Sequence, residues 1–424
     1  MTEEFLHFVW KYGLFDRSGL LTDTGEVVEV IHLGEHNPDA GPDFLNARVR
    51  IGNTLWAGNV EIHLRSSDWF AHGHQHDKSY DNVILHVVHK YNQSVSRTGG
   101  MVIPTLQLPV GEGLFERYRM LIAKKERISC FDRMGEADPL IVDCWLSALV
   151  FERLQQKTEI IRNLLEQYRG DWEEVLYITL ARAFGFGINA APFAMLARSI
   201  PLAVLRRHSD SRMQTEALLM GQAGFLSPDV PEGGYPFRLL SEYRHLAAKY
   251  SLVPLEAHLW KFLRMRPMNF PTIRIAQFAE LMHSSGHFSR ILACKEISAL
   301  HRIFSVGANG FWNVHYTFEK PSEPGSKMLG EEAFQSIVIN AVIPVLFLFG
   351  SMEGRDDLKD RAMDWLGRLP AESNRIVTDF TRAGIRPSSA FYSQAILQLW
   401  KEYCTRKRCL ACSVGTTLIT NPAR

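Results

Sequence analysis

Residues 43–64 read DFLNARVRIGNTLWAGNVEIHL. Asp43–Ile51 alternates, with Leu45, Ala47, Val49 and Ile51 on one face. Thr54–Leu64 alternates again, with Trp56, Val60, Ile62 and Leu64 on one face. Two such runs around Gly52-Asn53 predict a β-hairpin with a two-residue turn. Side chains on a strand repeat every second residue, so Glu61 and His63 point to the same side. If 51 pairs with 54 and the ladder is regular, Asp43 falls opposite Ile62 and turns away from Glu61. A three-residue loop or a bulge restores the match.

Outward from the hairpin, Thr2 to Tyr12 reads as a helix with Phe5, Val9 and Tyr12 on one face. Glu26–Leu33 is strand-like, and a polar loop, Gly34–Pro42, follows it. Ser67 is placed to cap a helix running to about Tyr80, and Asn82–His89 is an apolar strand. Met101–Leu108 is one further extended piece. The order is helix, three strands, helix, strand. From about Gly111 the pattern is mainly helical: a basic stretch at Phe115–Arg127, then Ile141–Arg169, Glu173–Phe184, Ala191–Ala197, Arg274–His283, Glu331–Leu348 and Ser389–Tyr403. The expected fold class is therefore mixed α+β. An α-β-β-β-α-β core occupies 1–110, and a large mainly α-helical region, 111–424, ends in a Cys-rich tail.

The chain has 424 residues, 46% hydrophobic and 22% charged, which excludes a disordered or low-complexity scaffold. Its net charge of +1 hides an asymmetry. Residues 1–110 hold 8 Lys and Arg against 13 Asp and Glu, and nine of the 16 His lie before residue 93. An acidic, His-rich quarter suits a divalent metal. The most apolar run, Ile337 to Phe349, contains Asn340 and Pro344 and falls short of the roughly 20 residues a membrane span needs. With no basic leader before an apolar stretch, the expectation is a soluble, cytoplasmic protein that does not engage a membrane. Six Cys do not make a disulfide framework. There is no Walker motif, no G-x-G-x-x-G between a strand and a helix, and no G-x-S-x-G elbow, which argues against nucleotide cofactors and serine hydrolase chemistry.

Asp43 beside Glu61 would present two adjacent carboxylates, the hard oxygen ligands that Mg²⁺ or Mn²⁺ prefers. A metal held there lowers the pKa of a bound water and stabilises charge on a scissile phosphate, and His63 is placed to orient that water. This arrangement resembles the PD-(D/E)-x-K nuclease superfamily, in which an Asp opens the second strand of such a core and (D/E)-x-K lies on the third. The resemblance implies that Asp43 and Glu61 are metal ligands, that Glu3 or Glu4 joins them from the first helix, and that nucleic acid is the substrate. His63 stands where the superfamily has Lys, and a neutral imidazole lacks that fixed charge. The basic stretches Arg117–Arg127 and Lys401–Arg408 are the candidates for gripping a nucleic-acid backbone.

Asp68, His72, His76 and Tyr80 share one face of the expected second helix, and His74 and Asp77 share another. Either set suits a metal or a phosphate. His72-Gly73-His74-Gln75-His76-Asp77 resembles the H-x-H-x-D-H of metallo-β-lactamase-fold hydrolases with the last two residues exchanged. The run from Gly34 to Val88, with DWEEVLYITLARAFGFGIN (171–189), RPMNFPTIRIAQFAEL (266–281) and the Cys-rich tail, resembles the bacterial family called domain of unknown function 2851. That resemblance implies that the polar residues from Asn37 and Asp39 to Tyr80 form one motif block. It implies no activity.

Cys404, Cys409 and Cys412 form C-x4-C-x2-C. Zinc or an iron–sulfur cluster needs a fourth ligand. Cys130 is the best candidate, with Cys144, Cys294 or a His as substitutes. Some nucleases of the resembled superfamily carry a cluster held by one distant Cys and a C-terminal trio. Three functions are compatible with these residues: a metal-dependent nuclease, a catalytically degenerate nucleic-acid- or protein-binding module on the same core, and a zinc hydrolase of a small substrate. Oligomeric state is not readable from the sequence.

Overall fold

The computed structural model describes residues 1–229, 231–283 and 287–421. The fold is mixed α+β, with a sheet in the N-terminal region followed by helices. The chain packs as two units. The first comprises Met1–Trp145, Asp379–Ile385 and Leu399–Arg424, and the second comprises Leu146–Thr378 and Arg386–Gln398. The first unit thus continues past residue 110 and takes in the Cys-rich tail.

In the first unit, helix α1 (Glu3–Lys11) is capped by Thr2, whose hydroxyl accepts from the Phe5 N–H at 3.3 Å. It buries Phe5, Leu6, Phe8, Val9 and Trp10, and the Trp10 indole donates to the Leu33 carbonyl at 2.9 Å. Strands β1 (Val28–His32), β2 (Glu35–His36), β3 (Phe44–Ile51) and β4 (Thr54–Arg65) pair antiparallel. A short helix α2 (Asp68–Ala71) leads towards β5 (Val83–Lys90), which runs parallel to β4. The pair β6 (Val95–Ser96) and β7 (Val102–Ile103) stands apart, and β8 (Thr105–Gln107) joins β5 in parallel. Sheet order is β1-β3-β4-β5-β8, with β2 beside β3. Met101–Leu108 is therefore two short strands in different sheets, because Pro104, lacking an N–H, interrupts the run.

The hairpin has the two-residue turn, Ile51 opposite Thr54, and also a bulge. Ala47 faces Gly58, but Phe44 faces Val60, one step out of the regular register. Asn46 sits at the bulge with φ of +58°, a left-handed conformation that Asn tolerates better than most residues. Its N–H donates to the Asn59 Oδ1 at 3.3 Å. The bulge changes which residues face inwards: Phe44 and Ala47 are buried while Leu45 is only partly so. Trp56, expected on the apolar face, lies towards the exposed end of β4. At Gly58 a Cβ would meet Ile84 Cγ2 at 2.4 Å and the Asn82 carbonyl at 2.6 Å, so β4 and β5 approach as closely as they do only with glycine there.

The expected helix from Ser67 to Tyr80 does not form as one element. It stops at Ala71, Gly73 takes φ of +79°, and two 3-10 turns follow, His74–His76 and Lys78–Tyr80. A helix would have put Asp68, His72, His76 and Tyr80 on one face, and the break removes that face.

The second unit is helical. Its central element is Glu331–Met352, continuous through a π-helical turn at Val338–Val342. Pro344 has no N–H to offer Ile339, its partner five residues back in a π turn, and the Lys157 ammonium donates to that carbonyl instead at 3.3 Å. The apolar run is thus embedded in a 22-residue helix, longer than the run itself, and by length and composition it is able to cross a membrane. Of its most apolar window 72% is buried inside the protein, the environment of a core helix.

Candidate metal centre

The bulge decides the site. Shifted by one residue, Asp43 lies across from Glu61, and the backbone locks the pair reciprocally. The Asp43 N–H donates to Glu61 Oε2 at 3.1 Å, and the Ile62 N–H donates to Asp43 Oδ2 at 2.9 Å. Glu61 is 5% exposed. Burial pushes its carboxyl above the usual range, and the neighbouring Asp43 charge adds to this while His74 opposes it.

Imidazoles surround Glu61. Its Oε1 lies 3.3 Å from His74 Nε2 and 3.6 Å from His63 Nε2. His63 Nε2 is also 3.0 Å from His72 Nδ1. One ring nitrogen from each of His63, His72 and His74 falls within 4.8 Å of the others. Gly73 and the 3-10 turn make this possible, since they fold His74 back over the sheet, where it stacks on Tyr80 with ring centroids 3.8 Å apart. His63 is fully buried, and burial together with the surrounding imidazoles pushes its pKa down to about 2. His86, buried beneath it with Nε2 2.8 Å from His63 Nδ1, is pushed down to about 3 by burial. Both rings are therefore neutral at ordinary pH, the state a metal ligand requires. In the tautomer with a free Nε2, His63 donates its Nδ1–H to His86, the orienting hydrogen bond common behind metal-bound histidines. Burial and the Glu61 and Asp43 charges push the Tyr80 hydroxyl up to about 12, so it stays a donor.

Helix α1 adds His7 and Glu3, four residues apart on one face. His7 Nε2 lies 3.2 Å from Asp43 Oδ2. Burial works against its charged form, but Asp43, Glu3 and Glu61 outweigh it and the pKa is raised. Burial raises that of Glu3.

Two observations test whether these residues fit a metal ion. The Nε2 atoms of His7 and His74 are buried and close to carboxylate oxygens, yet neither makes a directed hydrogen bond. The partners of the two carboxylates are imidazoles and backbone N–H groups, with no Lys or Arg among the described residues in contact. Buried negative charge without a permanent cation is costly, and a divalent ion offsets it. The donor set, imidazole nitrogen with one carboxylate, suits zinc, manganese or iron better than magnesium. His72 is exposed, so the centre opens to solvent on that side.

The other candidates lie elsewhere. Asn37 ties the loop before β3, accepting from the Asp39 N–H and donating to the Pro42 carbonyl. Asp39 is exposed. Asp77 is turned outwards, accepting from Ser79. Sequence reasoning passed over His7. The available signal for His7 was its spacing of four from Glu3. Among the basic residues, Arg117 donates to the Ile419 carbonyl, Lys124 pairs with Asp132, and Lys407 is held by backbone carbonyls and Ser129. Cys130, Cys404, Cys409 and Cys412 line one cavity in the first unit. Cys144 is exposed and Cys294 is in the second unit.

Comparison with curated proteins and with solved structures returns no match. One family matches residues 3–375, ending before the Cys trio, and its description is protein of unknown function. The match spans most of the chain, the candidate metal centre included, and the protein belongs to that family, DUF2851.

Proposed function

We propose that the first unit is a metal-dependent hydrolase of phosphodiester bonds in nucleic acid, with Glu61, His63, His72 and His74 holding the metal. The observation that carries this reading is the convergence of three imidazole nitrogens within 4.8 Å on the Oε1 side of a buried glutamate. The order of elements, with β4 and β5 parallel across a short helical crossover, supports kinship with the nuclease superfamily that the hairpin resembles. A bound divalent ion would supply a hydroxide near neutral pH and polarise a phosphoryl oxygen. Asp43 and His7 lie beside Glu61. The raised pKa of His7 suits it to pass a proton to a leaving oxygen. Asp43 orients that ring. Tyr80, protonated throughout the working range, is available to donate a hydrogen bond.

The test incubates wild type and Glu61→Ala with single- and double-stranded DNA and RNA in Mn²⁺, Zn²⁺ or Mg²⁺. Cleavage by wild type alone supports the proposal. Salt-dependent binding without cleavage by either supports the degenerate binding module. The imidazole trio also favours a second reading, a zinc hydrolase of a small substrate. Activity on small phosphate and carboxylic esters, with nucleic acid left intact, would select it.

A further inference from the structure

Four cysteines from two distant parts of the sequence meet in the first unit, away from the residues of the His-rich centre. Cys130 follows the segment after helix α3 (Glu112–Ala123), and Cys404, Cys409 and Cys412 come from the tail. Together they line one small cavity. All four are free thiols. Burial and their mutual proximity raise the pKa values of Cys130 and Cys404, so in the bare protein these two thiols stay protonated. Thiols add little packing that aliphatic side chains would not supply better.

The backbone is shaped around the sulfurs. Cys404 ends a π-helical turn, Leu399–Cys404. Lys407 adopts φ of +54°, a conformation unfavourable for its side chain. Its ammonium binds the Lys124 carbonyl at 2.6 Å and Ser129 Oγ at 2.7 Å, drawing the tail onto the Cys130 segment. Ser129 in turn lies close to Cys409. Gly415 permits the return of the chain, since a Cβ there would meet the Cys409 carbonyl at 2.3 Å. The backbone N–H groups of Val414 and Gly415 turn towards the Cys412 sulfur without closing a hydrogen bond on it. The Trp145 indole also faces that sulfur, but its buried Nε1 has no acceptor at hydrogen-bond geometry. N–H groups aimed at sulfur are the outer contacts that stabilise thiolates in metal clusters.

We infer that Cys130, Cys404, Cys409 and Cys412 ligate an iron–sulfur cluster of the [4Fe–4S] type, independently of the chemistry at Glu61. A single zinc ion draws four sulfurs to about 3.8 Å of one another, from Zn–S of about 2.3 Å in a tetrahedron. Among the described residues, the cysteines do not form a group whose ligand atoms close to within 4.8 Å, as the His63, His72 and His74 nitrogens do. The wider spacing fits a cluster, in which each thiolate binds a different iron.

The test uses the full chain, expressed with iron supplied, purified without air, and reconstituted with ferrous iron and sulfide if it emerges colourless. Expected are about four iron and four acid-labile sulfide per chain with broad visible absorption. Cys130→Ser and Cys409→Ser lose both, while Cys144→Ser and Cys294→Ser keep them. Zinc at about one per chain with no sulfide would overturn the cluster. So would a wild-type protein that takes up no iron on reconstitution. If Cys130→Ser fails to fold, the wild-type iron and sulfide contents still decide.

Discussion

Asn46→Val tests the link between register and site. Asn46 holds φ of +58° at the β3 bulge, and the bulge sets Asp43 opposite Glu61. A β-branched side chain in the left-handed region costs about 1–3 kcal/mol. In a unit of this size each kcal/mol lowers the melting temperature by roughly 2–4 °C. The variant therefore melts about 2–12 °C lower, or escapes the strain by expelling the bulge. Expulsion restores the regular register, which carries Asp43 opposite Ile62. Metal affinity should then fall by about 10–100-fold, the range found on removing an outer partner of a metal ligand. Asn46→Gly accepts the same φ and should retain affinity within about twofold. The assays are thermal melts of the apo-protein and competition titration with Zn²⁺ and Mn²⁺. A valine variant with unchanged melting and unchanged affinity would refute the reasoning. One that melts lower with affinity intact would show that the bulge supports the fold but not the centre.

Further outcomes follow from the same geometry. Zn²⁺ at about 100 times its dissociation constant should stabilise wild type by about 2.7 kcal/mol and leave His74→Ala little changed, read by denaturant titration with and without chelator. His63 and His86 are neutral in the folded state, at about 2 and about 3, against an ordinary 6.5. The unfolded chain thus binds more protons at these two rings below pH 6.5, and their contribution to metal-free stability falls as pH drops. The slope approaches about 1.4 kcal/mol per pH unit for each ring until pH reaches the folded values. Denaturation at pH 7.5, 6 and 5 checks this, and a flat profile would exclude buried neutral rings. Gly221→Ala places a Cβ about 2.1 Å from the Tyr243 ring, and should destabilise the second unit by about 1–3 kcal/mol without altering metal binding in the first.

The hairpin was legible because its alternation and its Gly52-Asn53 turn are local properties. Long amphipathic helices were legible for the same reason: Pro139–Gln167 and Trp172–Phe184 differ from their expected bounds by one or two residues. The stretch from Ser67 to Tyr80 was misread because its four-residue spacings satisfied a helical pattern. The positive φ at Gly73 serves packing of His74 against Tyr80 and Trp69, which no local signal announces.

By itself the sequence determined an α+β chain with an acidic, His-rich first quarter, two carboxylates on neighbouring strands, and a cysteine trio with Cys130 as the best candidate for its fourth member. Composition and short-range periodicity suffice for these, since each depends on residues a few positions apart. Tertiary structure decided the rest. A one-residue bulge chose which side chains face Glu61, the fold of α1 brought His7 to Asp43, and His86 was placed beneath His63. Cys130 met the tail across more than two hundred and seventy positions of sequence. Such contacts arise where burying a shared core offsets the entropy of closing long loops, a balance set by the whole unit and invisible in any window of its sequence.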